Sequence, residues 1–210
     1  LQREVLMSKP NVGLVCTDVE RIDELGRSLG IERAIYKDSA EVRAGLMFQR
    51  KVKPIVHPSI LMRSEILRAV GGYRDFAAAE DHDLWLRLLS LCEIDRISTP
   101  LLKYRHNPTG ISATKRAKQA AHAIQAAVCA EYLDLYGVDL YVEYKELFDE
   151  LLFVILDWYT SEIAPLEREF ESLKRHYRRG EMNHAFLSLM GFGRKVISQP
   201  FEGTILNRYR

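Results

Sequence analysis

Residues 77 to 89 read AAAEDHDLWLRLL, so Glu80, Asp81, His82 and Asp83 stand directly ahead of an apolar helical stripe. A carboxylate at a helix N-terminus can act as a general base: the dipole favours its ionised form, while neighbouring carboxylates push its pKa the other way. Read alone, the segment is first of all a helix start, because acidic residues in a first turn gain about 0.3 to 1 kcal/mol each from the dipole. Asp83 and Arg87, four apart, would then form a surface ion pair worth about 0.3 to 0.5 kcal/mol.

Other chemistry-bearing residues are sparser. His57 lies between Pro54 and Pro58, whose fixed φ forces extended backbone and presents the imidazole either to a cleft or to a loop. His82 and Asp83, with His57 and a later residue such as Asp134, would suit a helical HD-type metal phosphohydrolase. That reading needs a helix around His57, where the prolines oppose one. Cys16, Cys92 and Cys129 form no CxxC pair, which argues against a zinc ribbon or a disulfide framework and for a reducing compartment.

The elements that must position these groups can be read from periodicity. VGLVCT after Pro10 and Asn11 is apolar and rich in branched residues, as in a central strand buried on both faces. Val42, Leu46 and Met47 follow a Ser39 cap at helical spacing. Residues 64 to 70 form a short helix stopped by Gly71 and Gly72. Leu84, Trp85, Leu88 and Leu89 define one face of a helix that begins near Ala79. EIDRISTPLLKYRHN reads as two short extended segments around Pro100. This predicts an α/β fold, a mixed sheet with flanking helices, over residues 1–113.

From residue 114 the pattern is helical to the end at 210. Ala117, Ala121, Ile124, Val128 and Leu135 mark one stripe, and Leu147, Leu151, Val154 and Trp158 a second. A third helix is expected from about Pro165 to Arg179, and a fourth carries Phe186, Leu189 and Val196. Such stripes predict packing on one another or on a second copy of the chain. Basic residues among apolar ones after His176 read as a solvated face, with an anionic membrane surface as the alternative.

The 210 residues are 47% hydrophobic and 28% charged with a formal charge of +1, an ordinary globular composition without the basic excess of a nucleic-acid binder. The longest strictly apolar run, LLFVIL, is far below the roughly 18 residues of a transmembrane span. No signal-peptide pattern opens the chain, so a cytoplasmic location is expected. LQREVLMSKP reads as the end of an amphipathic helix without a cap, as in a chain cut into.

Three words occur in order: HPSILMRSEILRAVGGYRD, EDHDLWLRLL and LLKYRHNPTGIS. Their arrangement resembles the second half of family 2 glycosyltransferases, nucleotide-sugar enzymes with a GT-A fold that include builders of bacterial surface polysaccharides. The resemblance covers roughly residues 1 to 113 and rests on His57, Ser59, Arg63, Gly71, Gly72, Tyr73, Glu80 and Asp81. It implies Asp81 as catalytic base with Glu80 beside it, and Asp83, Trp85 and Arg87 completing the substrate-side helix. The family's YR-x-H word corresponds to Tyr104, Arg105 and His106, with the histidine one position early. The resemblance also implies an inverting transfer from a nucleotide-sugar donor to a saccharide or lipid-linked acceptor. A divalent cation (Mg2+ or Mn2+) would be held by an upstream DxD that this sequence lacks. The competing reading is a helical interaction or oligomerisation module.

Overall fold

The computed structural model describes residues 1–48, 55–76, 79–107, 110, 115–165, 168, 172 and 179. A short helix α1 (Gln2–Ser8) leads into β1 (Val12–Ile22), and a hairpin returns through β2 (Ser28–Glu32). Helix α2 (Ser39–Phe48) precedes a 3-10 turn (His57–Ser59), the two-residue strand β3 (Leu61–Met62) and α3 (Ser64–Ala69). Helix α4 (Glu80–Leu88) then leads to β4 (Glu93–Arg105). Helices α5 (Arg116–Tyr136), α6 (Leu140–Glu143) and α7 (Lys145–Trp158) follow, the last running into a π turn (Tyr159–Ile163).

The sheet is mixed, with β1 at its centre as its unbroken apolar run predicts. β4 runs parallel along β1 from Val12 to Ile22, β3 pairs antiparallel with Leu14 and Val15, and β2 antiparallel with Val19 to Ile22. Leu14 and Cys16 enter the main core with Trp85, Phe76, Leu84 and Leu88, while Val12 and Val15 pack with Leu6. The strand is therefore buried on both faces.

EIDRISTPLLKYR is one strand rather than two segments. Proline lacks an N–H, and the chain answers by irregular pairing: Ile97 opposes Thr17, Pro100 opposes Asp18, and regular register resumes by Leu102. Hairpin β1–β2 has a local cause in Asp23, whose Oδ1 accepts the amides of Leu25 and Arg27 while Gly26 takes φ +82°. Asp38, not Ser39, caps α2 by accepting the Glu41 amide; the Ser39 hydroxyl accepts the Ile94 amide of β4 instead.

Residues Leu1–Ile155 form one compact unit, and the described residues from Leu156 onward lie outside it. Within this unit, α5 packs on α4 and α2. Its buried residues are Ala121, His122, Gln125, Ala126, Ala127 and Cys129, whereas Leu135 is 67% exposed, so the true face is rotated from the expected stripe. Small side chains allow the helices to approach closely, and α5 is nearly uniform in hydropathy around its circumference. Helix α7 is likewise turned by one position: Phe148 and Ile155 are buried and Leu147 is half exposed. The helix expected from Pro165 to Arg179 falls almost wholly, and the one carrying Phe186, Leu189 and Val196 entirely, outside the described residues. No helix among the described residues is long and apolar enough to cross a membrane.

Candidate active site

Helix α4 begins after Ala79 without a side-chain cap, so its first amides are open to other acceptors. Asp81 Oδ1 takes the His82 amide at 2.8 Å, and Oδ2 lies 3.9 Å from His57 Nδ1. The 3-10 turn that carries His57 is docked on β1, because Gln2 Nε2 donates both to the Val15 carbonyl and to that of Ser59. His57 Nε2 is 2.7 Å from the Tyr73 hydroxyl, and the imidazole meets the Trp85 ring edge-on at 5.4 Å.

These groups open on a cleft of about 350 Å³. Ile55, His57 and Pro58 line it from the turn, Asp81, His82 and Trp85 from α4, Arg21, Glu32 and Tyr104 from the sheet, and Gln119 and Ala123 from α5. Trp85 is only 2% exposed, so it is a floor against His57 rather than an open stacking platform. Arg21 donates from Nε to Glu32 at 2.5 Å and lies 4.4 Å above the Tyr104 ring, giving a polar and aromatic wall.

Burial holds the His82 imidazole below its usual pKa of 6.5. Its Nε2 is 2.9 Å from the Leu46 carbonyl, which can only accept, so Nε2 carries the hydrogen. Burial raises the Tyr73 pKa, and the charges of Asp81 and Glu80 add to that, so its hydroxyl stays protonated.

The sequence-expected residues do not all converge. Asp81, His57 and Trp85 meet at the cleft, with Glu80 half-buried beside Asp81 in the same first turn. Asp83 and Arg87 face away from it. Asp83 is 3% exposed, and Arg87 clasps it while also donating to the Val70 and Gly72 carbonyls at 2.6 and 2.8 Å. The expected surface pair is therefore a buried one, bordering a separate cavity of about 50 Å³ shared with Arg43, Arg74, Asp134 and Asp139. His106 is exposed at the end of β4 and does not line the cleft. Arg63 donates to the carbonyls of Val12 and Leu6, holding α1 to the sheet.

The phosphohydrolase set does not assemble either. Asp83 is paired with Arg87, Asp134 with Arg43, and His82 is bound to a carbonyl. Among the described residues no three carboxylate, imidazole or thiol groups converge as a metal ion would need.

Arg21, Glu32, Tyr104 and Gln119 were not legible as site residues. The turn word DELGR signals the hairpin that brings Glu32 beside Arg21, but the parallel pairing of Arg21 with Tyr104 joins residues with no local connection.

No protein-family model matches the chain. Over 105 residues, 48% of its length, it is 30% identical to the O-antigen biosynthesis glycosyltransferase WbnJ of Escherichia coli. The chain covers 39% of that relative. The similarity marks a distant glycosyltransferase-like relationship over a minority of the relative's length.

Proposed function

We propose that the chain supplies the acceptor side of an inverting glycosyltransferase of family 2 with a GT-A-like architecture, and that Asp81 is its general base. The observation that carries this is Asp81 itself. One of its oxygens is fixed by a helix amide, and the other lies beside His57 on a cleft sized for a sugar. Similarity to an O-antigen biosynthesis glycosyltransferase supports the reaction class, and the acceptor in this reading is a saccharide or lipid-linked hydroxyl.

In this reading the acceptor hydroxyl enters the cleft and attacks the anomeric carbon of a nucleotide-sugar as Asp81 Oδ2 takes its proton. The new bond joins the acceptor oxygen to the anomeric carbon. The bond from that carbon to the diphosphate oxygen breaks, and its electron pair leaves with the nucleoside diphosphate. Attack opposite the leaving group inverts the configuration, and Asp81 returns its proton to solvent. His57 and Trp85 shape the acceptor side, and Glu80 adds charge beside the base. His106, Asp83 and Arg87 touch no substrate in this account. Residues 1–113 carry the acceptor-side role, with 114–210 as the helical region whose α5 closes one wall of the cleft.

The test is Asp81→Asn in the protein at its full length, assayed for sugar transfer. Amide and carboxylate share a shape, and the side-chain oxygen that remains can still accept the His82 amide, but the amide group cannot take the hydroxyl proton. Turnover should fall about 10²- to 10⁴-fold. Near-normal turnover would sink the assignment and leave the acidic pair as a helix start.

A further inference from the structure

We infer that Tyr73 is a positioning residue that, together with the Asp81 carboxylate, sets the tautomer of His57, and that the Asp83–Arg87 clasp holds Tyr73 in place to do so; this rests on the reading of Asp81 as the base. The imidazole has two ring nitrogens and one hydrogen when neutral, and the partner of one nitrogen decides the state of the other. Nδ1 faces the Asp81 carboxylate at 3.9 Å, and Nε2 faces the Tyr73 hydroxyl at 2.7 Å. A lone pair on Nδ1 would point at a carboxylate and be repelled. A hydrogen there is attracted, and the Tyr73 hydroxyl, a stronger donor than acceptor, favours the same tautomer by donating its O–H to Nε2.

The consequence for chemistry is directional. At 3.9 Å His57 and Asp81 are too far apart to hydrogen-bond each other directly. A hydroxyl seated beside both would donate to Asp81 and accept from Nδ1–H, so that its proton and its lone pairs are both aimed. With the hydrogen on Nε2, Nδ1 would instead compete with Asp81 for that same proton.

Tyr73 reaches His57 through a turn that the chain does not leave loose. Gly71 and Gly72 take φ +76° and +74°, a left-handed pair that side chains resist. Arg87 donates to the carbonyls of Val70 and Gly72, and its Nε and Nη2 are held by one oxygen of Asp83. Both clasp residues belong to α4, whose first turn carries Asp81. One helix therefore fixes the base and the residue that orients the histidine beside it.

Nitrogen-15 imidazole spectra of the chain test this without any activity assay, with His57→Gln identifying the ring signals. The wild-type ring should show a protonated Nδ1 and an unprotonated Nε2. Tyr73→Phe, which removes only a hydroxyl, should move it to a mixture or to the Nε2–H form with melting unchanged. Arg87→Lys should give a mixed ring at temperatures where the variant is folded. A wild-type Nε2–H ring, or an unchanged ring in Tyr73→Phe, overturns the role of Tyr73; an unchanged ring in folded Arg87→Lys overturns that of the clasp. Full turnover in Asp81→Asn alongside the expected spectra would sink the base and leave the tautomer assignment standing, so the two failures are distinguishable.

Discussion

Arg87 holds the Asp83 carboxylate from one helical turn away, with Nε 2.9 Å and Nη2 2.6 Å from the same oxygen. Both side chains are under a tenth exposed, and Arg74 stands 3.9 Å from the other carboxylate oxygen while bonding Asp139. The pair ties α4 to the turn behind α3 through two main-chain carbonyls, and its energetics are those of a buried network.

Arg87→Ala should therefore destabilise the fold by about 3 to 5 kcal/mol, because it strands a buried carboxylate. Urea denaturation measures it. A loss below about 1 kcal/mol, the range of a surface pair, would show that the clasp contributes nothing special.

Asp81→Asn and Asp83→Asn should separate cleanly. The first lowers transfer and barely moves melting, since an amide oxygen at that position still accepts the His82 N–H; the second lowers melting by several degrees and costs the rate per folded molecule much less than the first. Turnover and thermal melting on the same preparations decide. Equal effects on both readouts for both variants would contradict the placement of these carboxylates on different sides of α4.

Stability should fall on mild acidification. Burial holds His82 and His122 below the usual 6.5, so the unfolded chain binds protons that the folded chain refuses. The contribution is whole above about pH 6.5 and is lost as pH drops through that value toward the folded pKa. Denaturation midpoints between about pH 7.5 and 5.5 should show the slope, and His82→Gln with His122→Leu should flatten it. An unflattened slope assigns it to other groups.

His122→Leu alone should be neutral or stabilising at about pH 7.5, where the imidazole is uncharged. Among the described residues neither ring nitrogen makes a hydrogen bond of ordinary geometry, only a weaker approach to the Gln125 side chain, although the imidazole is buried against Phe76. Replacing such a group by an apolar one of similar size removes a desolvation cost of about 1 to 3 kcal/mol. A large loss of stability would show that the imidazole is satisfied in solution.

Gly13→Ala should be costly, because an added Cβ would stand 2.3 Å from Cys92 Sγ and 2.7 Å from its Cβ. Overpacking of this kind costs about 1 to 3 kcal/mol. Pairing it with Cys92→Gly should recover most of the loss in melting temperature; no recovery would place the strain elsewhere.

Local physics made much of this molecule legible from its sequence. An apolar branched run is a central strand, two glycines end α3, and Leu84, Trp85 and Leu88 at helical spacing are core. The acidic start of α4 belongs to the same reading, whereas the segment around His57, read as extended, forms a 3-10 turn. Sequence could not say which carboxylate faces the cleft. Residues two apart on a helix of 3.6 residues per turn point about 200° apart, so only the packing of α4 against its neighbours separates the half-buried Asp81 from the buried Asp83. Nor could it show that Arg87 spends its donors on Val70 and Gly72, that Arg21 lies over Tyr104, or which face of α5 is inward. Those relationships join distant segments through main-chain carbonyls, strand register and small side chains, and none of these leaves a periodic trace along the chain.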